Sequence, residues 1–248
     1  MRNKFLRGRF GLNGGIDTFK YNRDFRKEHP DYFDPFGLMV FCGPQGAGKT
    51  ISAVRYCKAV LDAYPKALFC SNVAIKGLEE RTIPYDGMHS LCDLENGYEG
   101  VLYLIDEIHL EFNSLESKSI SVEEMTEFAQ QRKQRKHIVG TSQIFMRLAK
   151  PLREQIHDVV LCRTILKFIQ CNEMIDGTTA HEEEGRLVCE SKGVYYWCHS
   201  PSLYDSYDTY AKMHRYRQAW TSRTAGPAGS IYSGEGGQRY GKHGFNRI

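Results

Sequence analysis

Residues 37–50 read GLMVFCGPQGAGKT: an apolar run, a glycine-rich turn, then a lysine and a threonine. Leu38 to Cys42 has the length and residue types of a buried strand, and helical periodicity begins at Lys49. The turn therefore lies where a strand gives way to a helix, the setting in which G-x-x-x-x-G-K-[ST] is a phosphate-binding loop. Gly43, Gly46 and Gly48 reach backbone conformations that side chains obstruct, so successive N–H groups can turn inward on an anion that the helix dipole also favours. The expected cradle is Gly43, Pro44, Gln45, Gly46, Ala47, Gly48, Lys49, Thr50 and Ile51. Lys49 reaches the β and γ oxygens of a nucleoside triphosphate, and the Thr50 hydroxyl is placed to hold a Mg²⁺ bridging them.

A second signal starts at Gly100. Val101 to Ile105, VLYLI, is a continuous apolar run ending in Asp106-Glu107, as a central parallel strand presents acids at its carboxyl end. An acidic pair after an apolar strand is also common in solvated turns, but behind a phosphate loop it reads as a Walker B motif. Asp106 is then the second metal residue, and Glu107 the group that orients or deprotonates the attacking water. The tetrapeptide Asp106-Glu107-Ile108-His109 is also thinly similar to the DExH box of large helicases, yet 248 residues leave room for a single such core.

Ser121 to Glu124 has capping-box spacing, with Val122, Met125, Phe128 and Ala129 as an apolar stripe, which predicts a helix from about Val122 to Arg135. Its end, Gln131 to Lys136, gathers positive charge that either complements the dipole in solvent or, at Arg132 on the apolar stripe, points inward. HIVGT, 137–141, reads as a further strand, placing Gln143 at the same sheet edge as Asp106. Met146 to Arg153 reads as helical, and Asp158 to Cys162 and Ile165 to Cys171 as strands. Arg186 to Glu190 and Val194 to His199 read as a hairpin turning at Gly193. The expected fold is α/β, a mostly parallel central sheet flanked by helices with a C-terminal β-hairpin extension. Three segments follow: a basic, aromatic arm over 1–36, a nucleotide-binding domain over 37–216 and a Gly-rich basic disordered tail over 217–248.

A formal net charge of +3 permits a nucleic-acid partner without requiring one. Phe10, Phe19, Tyr21, Phe25, Tyr32 and Phe33 interleave with basic residues, a pattern that suits stacking on single-stranded nucleic acid or packing on the core or a neighbouring subunit. No apolar run is long enough to span a bilayer and the basic N-terminus lacks a signal-peptide core, so a cytoplasmic location is expected. The 8 cysteines suit a reducing compartment. Cys162, Cys171, Cys189 and Cys198 could surround a zinc, although none forms a C-x-x-C knuckle.

GPQGAGKT, VLYLIDEIHLEF, EEMTEFAQQRKQRKH, HIVGTSQ and KPLREQ together resemble the zonular occludens toxin-like ATPases, relatives of the filamentous-phage assembly protein within the FtsK/HerA set of motors. The likeness spans residues 37–162, with a fainter echo in LYDSYDT, 203–209. It implies a P-loop NTPase fold, ATP with Mg²⁺, and self-assembly into a ring, with six subunits the expected number. Lys49, Thr50, Asp106 and Glu107 match the nucleotide-site motifs, and Gln143 matches the polar sensor. The family also inserts an arginine into the neighbour's site; Arg153 and Arg132 are the candidates, with Arg147 and Arg163 behind them. The phage-assembly proteins usually carry a membrane-spanning segment after the ATPase domain, and none is found here. That leaves two forms of motor. One meets a separate membrane or virion-assembly protein, at the inner membrane through that partner; the other packages or translocates single- or double-stranded DNA directly. Outside this class stand a P-loop kinase, against which the adjacent Asp106-Glu107 pair argues because a kinase must exclude water, and a non-catalytic nucleotide-binding module, against which the intact set of Lys49, Thr50, Asp106 and Glu107 argues.

Overall fold

The structure, a computed structural model, describes residues 12–112, 130–131, 133–183 and 186–207. All of these lie in the first of the chain's two units, Met1–Lys212; the tail expected over 217–248 lies outside the described residues.

The apolar run that precedes the glycine turn forms β1 (Gly37–Cys42), and α2 (Lys49–Ala63) follows the turn. The chain continues through β2 (Leu68–Ser71), β3 (Thr82–Pro84), the short α3 (Met88–Asp93), β4 (Val101–Ile105) and β5 (Lys136–Ser142). Beyond a short α4 (Lys150–Arg153) come β6 (Ile156–Ile165), β7 (Ile169–Asp176), β8 (His181–Glu183), β9 (Arg186–Val188), β10 (Ser191–Cys198) and a last turn of helix, α5 (Pro201–Tyr204). Eight strands make one sheet in the order β10-β7-β6-β1-β5-β4-β2-β3. From β6 to β3 all pairings are parallel, whereas β7 and β10 extend the sheet antiparallel. This is the α/β, P-loop NTPase fold.

Burial on both faces explains why the central strands are apolar throughout rather than alternating. Every residue of β4 is fully buried. On one face Ala53, Val54, Cys57 and Leu61 of α2 pack on Phe41, Phe69, Leu102 and Leu104. On the other, Phe145, Leu148 and Leu152 cover Val40, Tyr103 and Ile105. Since β5 pairs with both β1 and β4, one strand separates the phosphate loop from the acidic pair.

Local readings needed correction in several places. The arm contains a helix, α1 (Leu12–Glu28), which its polar, glycine-containing sequence concealed. Of its aromatics, Phe33 is fully buried in the core beneath Gly100, and Phe25 and Tyr32 pack on Tyr98 with ring centroids 5.8 and 6.2 Å away. Phe19 and Tyr21 are exposed, and Phe10 lies outside the described residues. The helix expected over 122–135 falls outside them through residue 129; at its far end Gln131 and residues 133–135 form a turn, with Arg135 at φ 55°. Lys136 is no solvated charge: it opens β5, is buried, and donates from Nζ to the Leu91 carbonyl at 2.6 Å. Between 146 and 153 the helix is interrupted, because Pro151 opens α4 rather than continuing a turn before it. Residues 166–168, expected inside a strand, are the β6–β7 turn, in which Leu166 and Lys167 have φ 49° and 64°. The 186–199 hairpin does not form; β9 pairs with β8 and β10 with β7, and Gly193 sits at a bulge within β10.

His137 of β5 is buried, with Nδ1 3.0 Å from the Gly37 carbonyl and Nε2 2.9 Å from the Tyr56 hydroxyl. Burial lowers its pKa from 6.5 to about 4, so the folded protein holds it neutral where the unfolded chain protonates it. The unfolded state then binds more protons between those values, and stability contributed by the neutral ring is full above pH 6.5 and lost as pH falls towards 4. Denaturant unfolding from pH 7 to 4 should show a loss of about 3 kcal/mol in the wild type that is much smaller in His137→Gln.

Candidate functional site

The loop between β1 and α2 owes its shape to residues that tolerate left-handed backbone. Gly46 and Gly48 have φ of 78° and 80°, and Gly43 has φ 156°. Gly48 precedes α2 with no side-chain cap, which leaves the first N–H groups of a 15-residue helix facing the loop. A Cβ at Gly48 would stand 2.1 Å from Gln170 Oε1, so the site requires glycine for space as well as for φ. Lys49 is buried and donates from Nζ to the Pro44 carbonyl at 3.1 Å, folded back across the loop it serves.

Three side chains converge on Asp106 at the end of β4. Thr50 Oγ1 donates to Asp106 Oδ1 at 3.0 Å, and Thr141 Oγ1 donates to the same oxygen at 2.6 Å. Asn72, just after β2, clamps the Asp106 peptide: its Oδ1 accepts from Asp106 N–H at 2.8 Å and its Nδ2 donates to Asp106 O at 3.1 Å. A hydroxyl and a carboxylate oxygen brought this close form the hard-oxygen pair that suits Mg²⁺, so the residues fit the ion implied by the motif. Glu107 follows in the left-handed region at φ 56°, its N–H donating to Thr141 Oγ1 at 2.8 Å. Its Oε2 is 3.2 Å from His109 Nδ1, but the alignment is not that of a hydrogen bond, and among the described residues no donor satisfies that oxygen.

Gln143 directly follows β5, half-buried, at the strand end where Gly43 N–H meets the Ser142 carbonyl at 3.3 Å. The structure thus brings Lys49, Thr50, Asp106, Glu107 and Gln143 to one sheet edge. It does not bring Arg153 there. Arg153 closes α4 just before β6, at the opposite end of the parallel strands, where Nη1 donates to Met146 Sδ at 2.9 Å. Arg147 and Arg163 are exposed, and Arg132 lies outside the described residues.

A cavity of about 430 Å³ opens beside the loop, lined on one side by Gly46, Gly48, Lys49, Thr50 and Ile51. Its other wall is Thr164, Lys167, His199, Tyr204 and Tyr207, from the C-terminal part of the chain. Behind it Gln170, buried in β7, donates from Nε2 to Ala47 O at 2.9 Å and to Asn172 Oδ1 at 2.8 Å. Asn172 donates to Ser52 Oγ at 3.1 Å. Sequence reasoning missed this wall and its buttress, as it missed Asn72 and Thr141. A signal for the buttress exists: IQCN, 169–172, puts two amides on alternate positions of a strand, hence on one face.

Of the four C-terminal cysteines, Cys162 belongs to the core on the α2 face and Cys189 packs on the core of the opposite face, while Cys171 is buried in β7 and Cys198 exposed in β10. No group of three His, Cys, Asp or Glu side chains suited to a metal occurs among the described residues. Burial pushes the Cys162 thiol up to about 12 and that of Cys42 higher, which keeps both protonated beneath the loop. No described helix is long and apolar enough to cross a membrane.

No protein-family model and no curated protein matches the chain. Among solved structures it is similar to the N-terminal domain of zonular occludens toxin from Neisseria meningitidis, at 13% identity and TM-score 0.47, covering 69% of this chain and 98% of that one. It is similar to the genome packaging NTPase B204 from Sulfolobus turreted icosahedral virus 2 in complex with ATP-gammaS, at 13% identity and TM-score 0.45, over 63% and 98% of the two chains. The flagellar accessory protein FlaH from Methanocaldococcus jannaschii is 12% identical with TM-score 0.37, over 63% and 90%.

Gln170→Leu removes the amide that holds Ala47 while keeping a similar volume. It should lower the unfolding midpoint in denaturant titration, since the Ala47 carbonyl loses its buried partner.

Proposed function

We propose that this chain is the ATP-hydrolysing subunit of a Mg²⁺-dependent motor of phage or mobile-element type, acting in virion assembly or export or in DNA translocation. The observation that carries the hydrolytic reading is the Thr50–Asp106 contact at 3.0 Å, with Glu107 beside it and β5 between the two motifs. Loop N–H groups and Lys49 would hold the β and γ phosphates, and Thr50 and Asp106 the metal. When bound, Mg²⁺ neutralises charge developing on those phosphate oxygens. Glu107, one oxygen of which has no donor among the described residues, would accept a proton from the attacking water, and Gln143 at the end of β5 would orient that water.

The motor reading rests on the sequence resemblance to the zonular occludens toxin-like, FtsK/HerA-type ATPases. In it the domain of residues 37–216 assembles with itself, as a hexameric ring. Arg153 stands at the sheet end away from its own phosphate loop, so a catalytic role for it requires a neighbour's site; Arg132 is the other candidate. The protein would work in the host cytoplasm, reaching the inner membrane only through a partner, or act on DNA itself.

Glu107→Gln should bind ATP with wild-type affinity while kcat falls about 10² to 10⁴-fold, as loss of a general base does. Near wild-type turnover in that variant would remove Glu107 from the mechanism. Measuring the wild-type rate with single- and double-stranded DNA separates the two motor types: strong stimulation points to translocation or packaging, its absence to assembly or export.

A further inference from the structure

The cavity beside the phosphate loop extends beyond the loop to a far wall that carries His199, Tyr204 and Tyr207. Thr50 and Asp106 fix the γ-phosphate end on the β5–β4 side of the loop. The nucleoside end of a bound triphosphate must then lead the other way, past Gly48 and Ile51 towards β6 and the β6–β7 turn. There the cavity meets Thr164, Lys167, His199 and Tyr204.

The Tyr204 ring is tied to the loop itself. Gln170 Nε2 donates to the Ala47 carbonyl, which fixes the amide's orientation and leaves Oε1 to accept from Thr164 Oγ1 at 3.0 Å and from His199 Nε2–H at 3.1 Å. The His199 ring is then neutral at Nδ1, which accepts from the Tyr204 hydroxyl in a close contact. A longer contact, 3.3 Å, links that hydroxyl to the Lys167 carbonyl. His199 is braced from behind by Trp197, with ring centroids 4.9 Å apart, and meets Tyr204 edge-on at 79°. Yet Tyr204 remains 47% exposed. A large ring held in register with the loop by three successive hydrogen bonds, and left uncovered beside the cavity, is pre-organised for a flat partner.

We infer, resting on the nucleotide reading above, that Tyr204 backed by His199 is the stacking platform for the base, and that the chain takes ATP and GTP alike. Of the polar atoms around the Tyr204 ring, Gln170 Oε1, both His199 nitrogens and the Thr164 hydroxyl already bond one another or the Tyr204 hydroxyl. What the wall offers the base is a ring face, and stacking on a ring face tolerates any purine.

Calorimetric titration of the full chain with ATP, GTP and inorganic tripolyphosphate, with Mg²⁺ present, tests this. Tyr204→Ala should weaken ATP and GTP about tenfold and leave tripolyphosphate unchanged, which also reports a folded phosphate loop; Tyr204→Phe should regain most of the lost affinity. ATP affinity unchanged in Tyr204→Ala, an equal loss for tripolyphosphate, or a wild type preferring ATP over GTP tenfold or more would overturn the inference while sparing the nucleotide reading. A wild type that binds neither ATP nor tripolyphosphate would overturn both.

Discussion

One carboxylate oxygen, Asp106 Oδ1, holds the candidate site together. It accepts from Thr50 at the start of α2 and from Thr141 near the end of β5, while Asn72 after β2 grips the peptide on either side. Two segments are thereby fixed against one charged atom and a third against its backbone, and hydrogen bonds to a charged acceptor are stronger than neutral ones. The same Thr141 hydroxyl receives the Glu107 N–H, so the acid next in sequence inherits its position from the arrangement that fixes Asp106.

Around that point the sheet supplies two different surfaces. The parallel strands provide the loop, the acids and a spacer strand, all at their carboxyl ends. The antiparallel strands provide polar and aromatic side chains that approach the loop from the other side, meeting it where Gly48 has no Cβ and Gln170 fills the space. The phosphate loop's floor and the amide buttress behind it thus come from two kinds of strand pairing within a single sheet, and the rings of the wall follow the last strand.

The parallel half was legible because its signals are local. Buried parallel strands are continuously apolar, and the phosphate loop and acidic pair are contiguous motifs, so β1, α2, β4 and their functional ends could be read directly. The antiparallel half was not, because its function depends on pairing. The strand run through 165–171 contained the turn at 166–168, and β10 paired with β7 rather than with its sequence neighbour β9. Asn72, Thr141, Gln170 and His199 are ordinary polar residues whose roles come from partners far along the chain. Lys136, in a run of charges, resembled a solvated helix end and proved buried because it opens a central strand.

Gln170 lies 123 positions from the loop carbonyl it holds. During synthesis the phosphate-binding motif therefore emerges long before the residues that shape it, and loop closure over such a separation is slow. A chain released after β5 carries the phosphate loop and the acidic pair and lacks the buttress beneath them. The loop is among the first parts of the site to be translated and among the last to be finished, so its final shape depends on the far strands having docked.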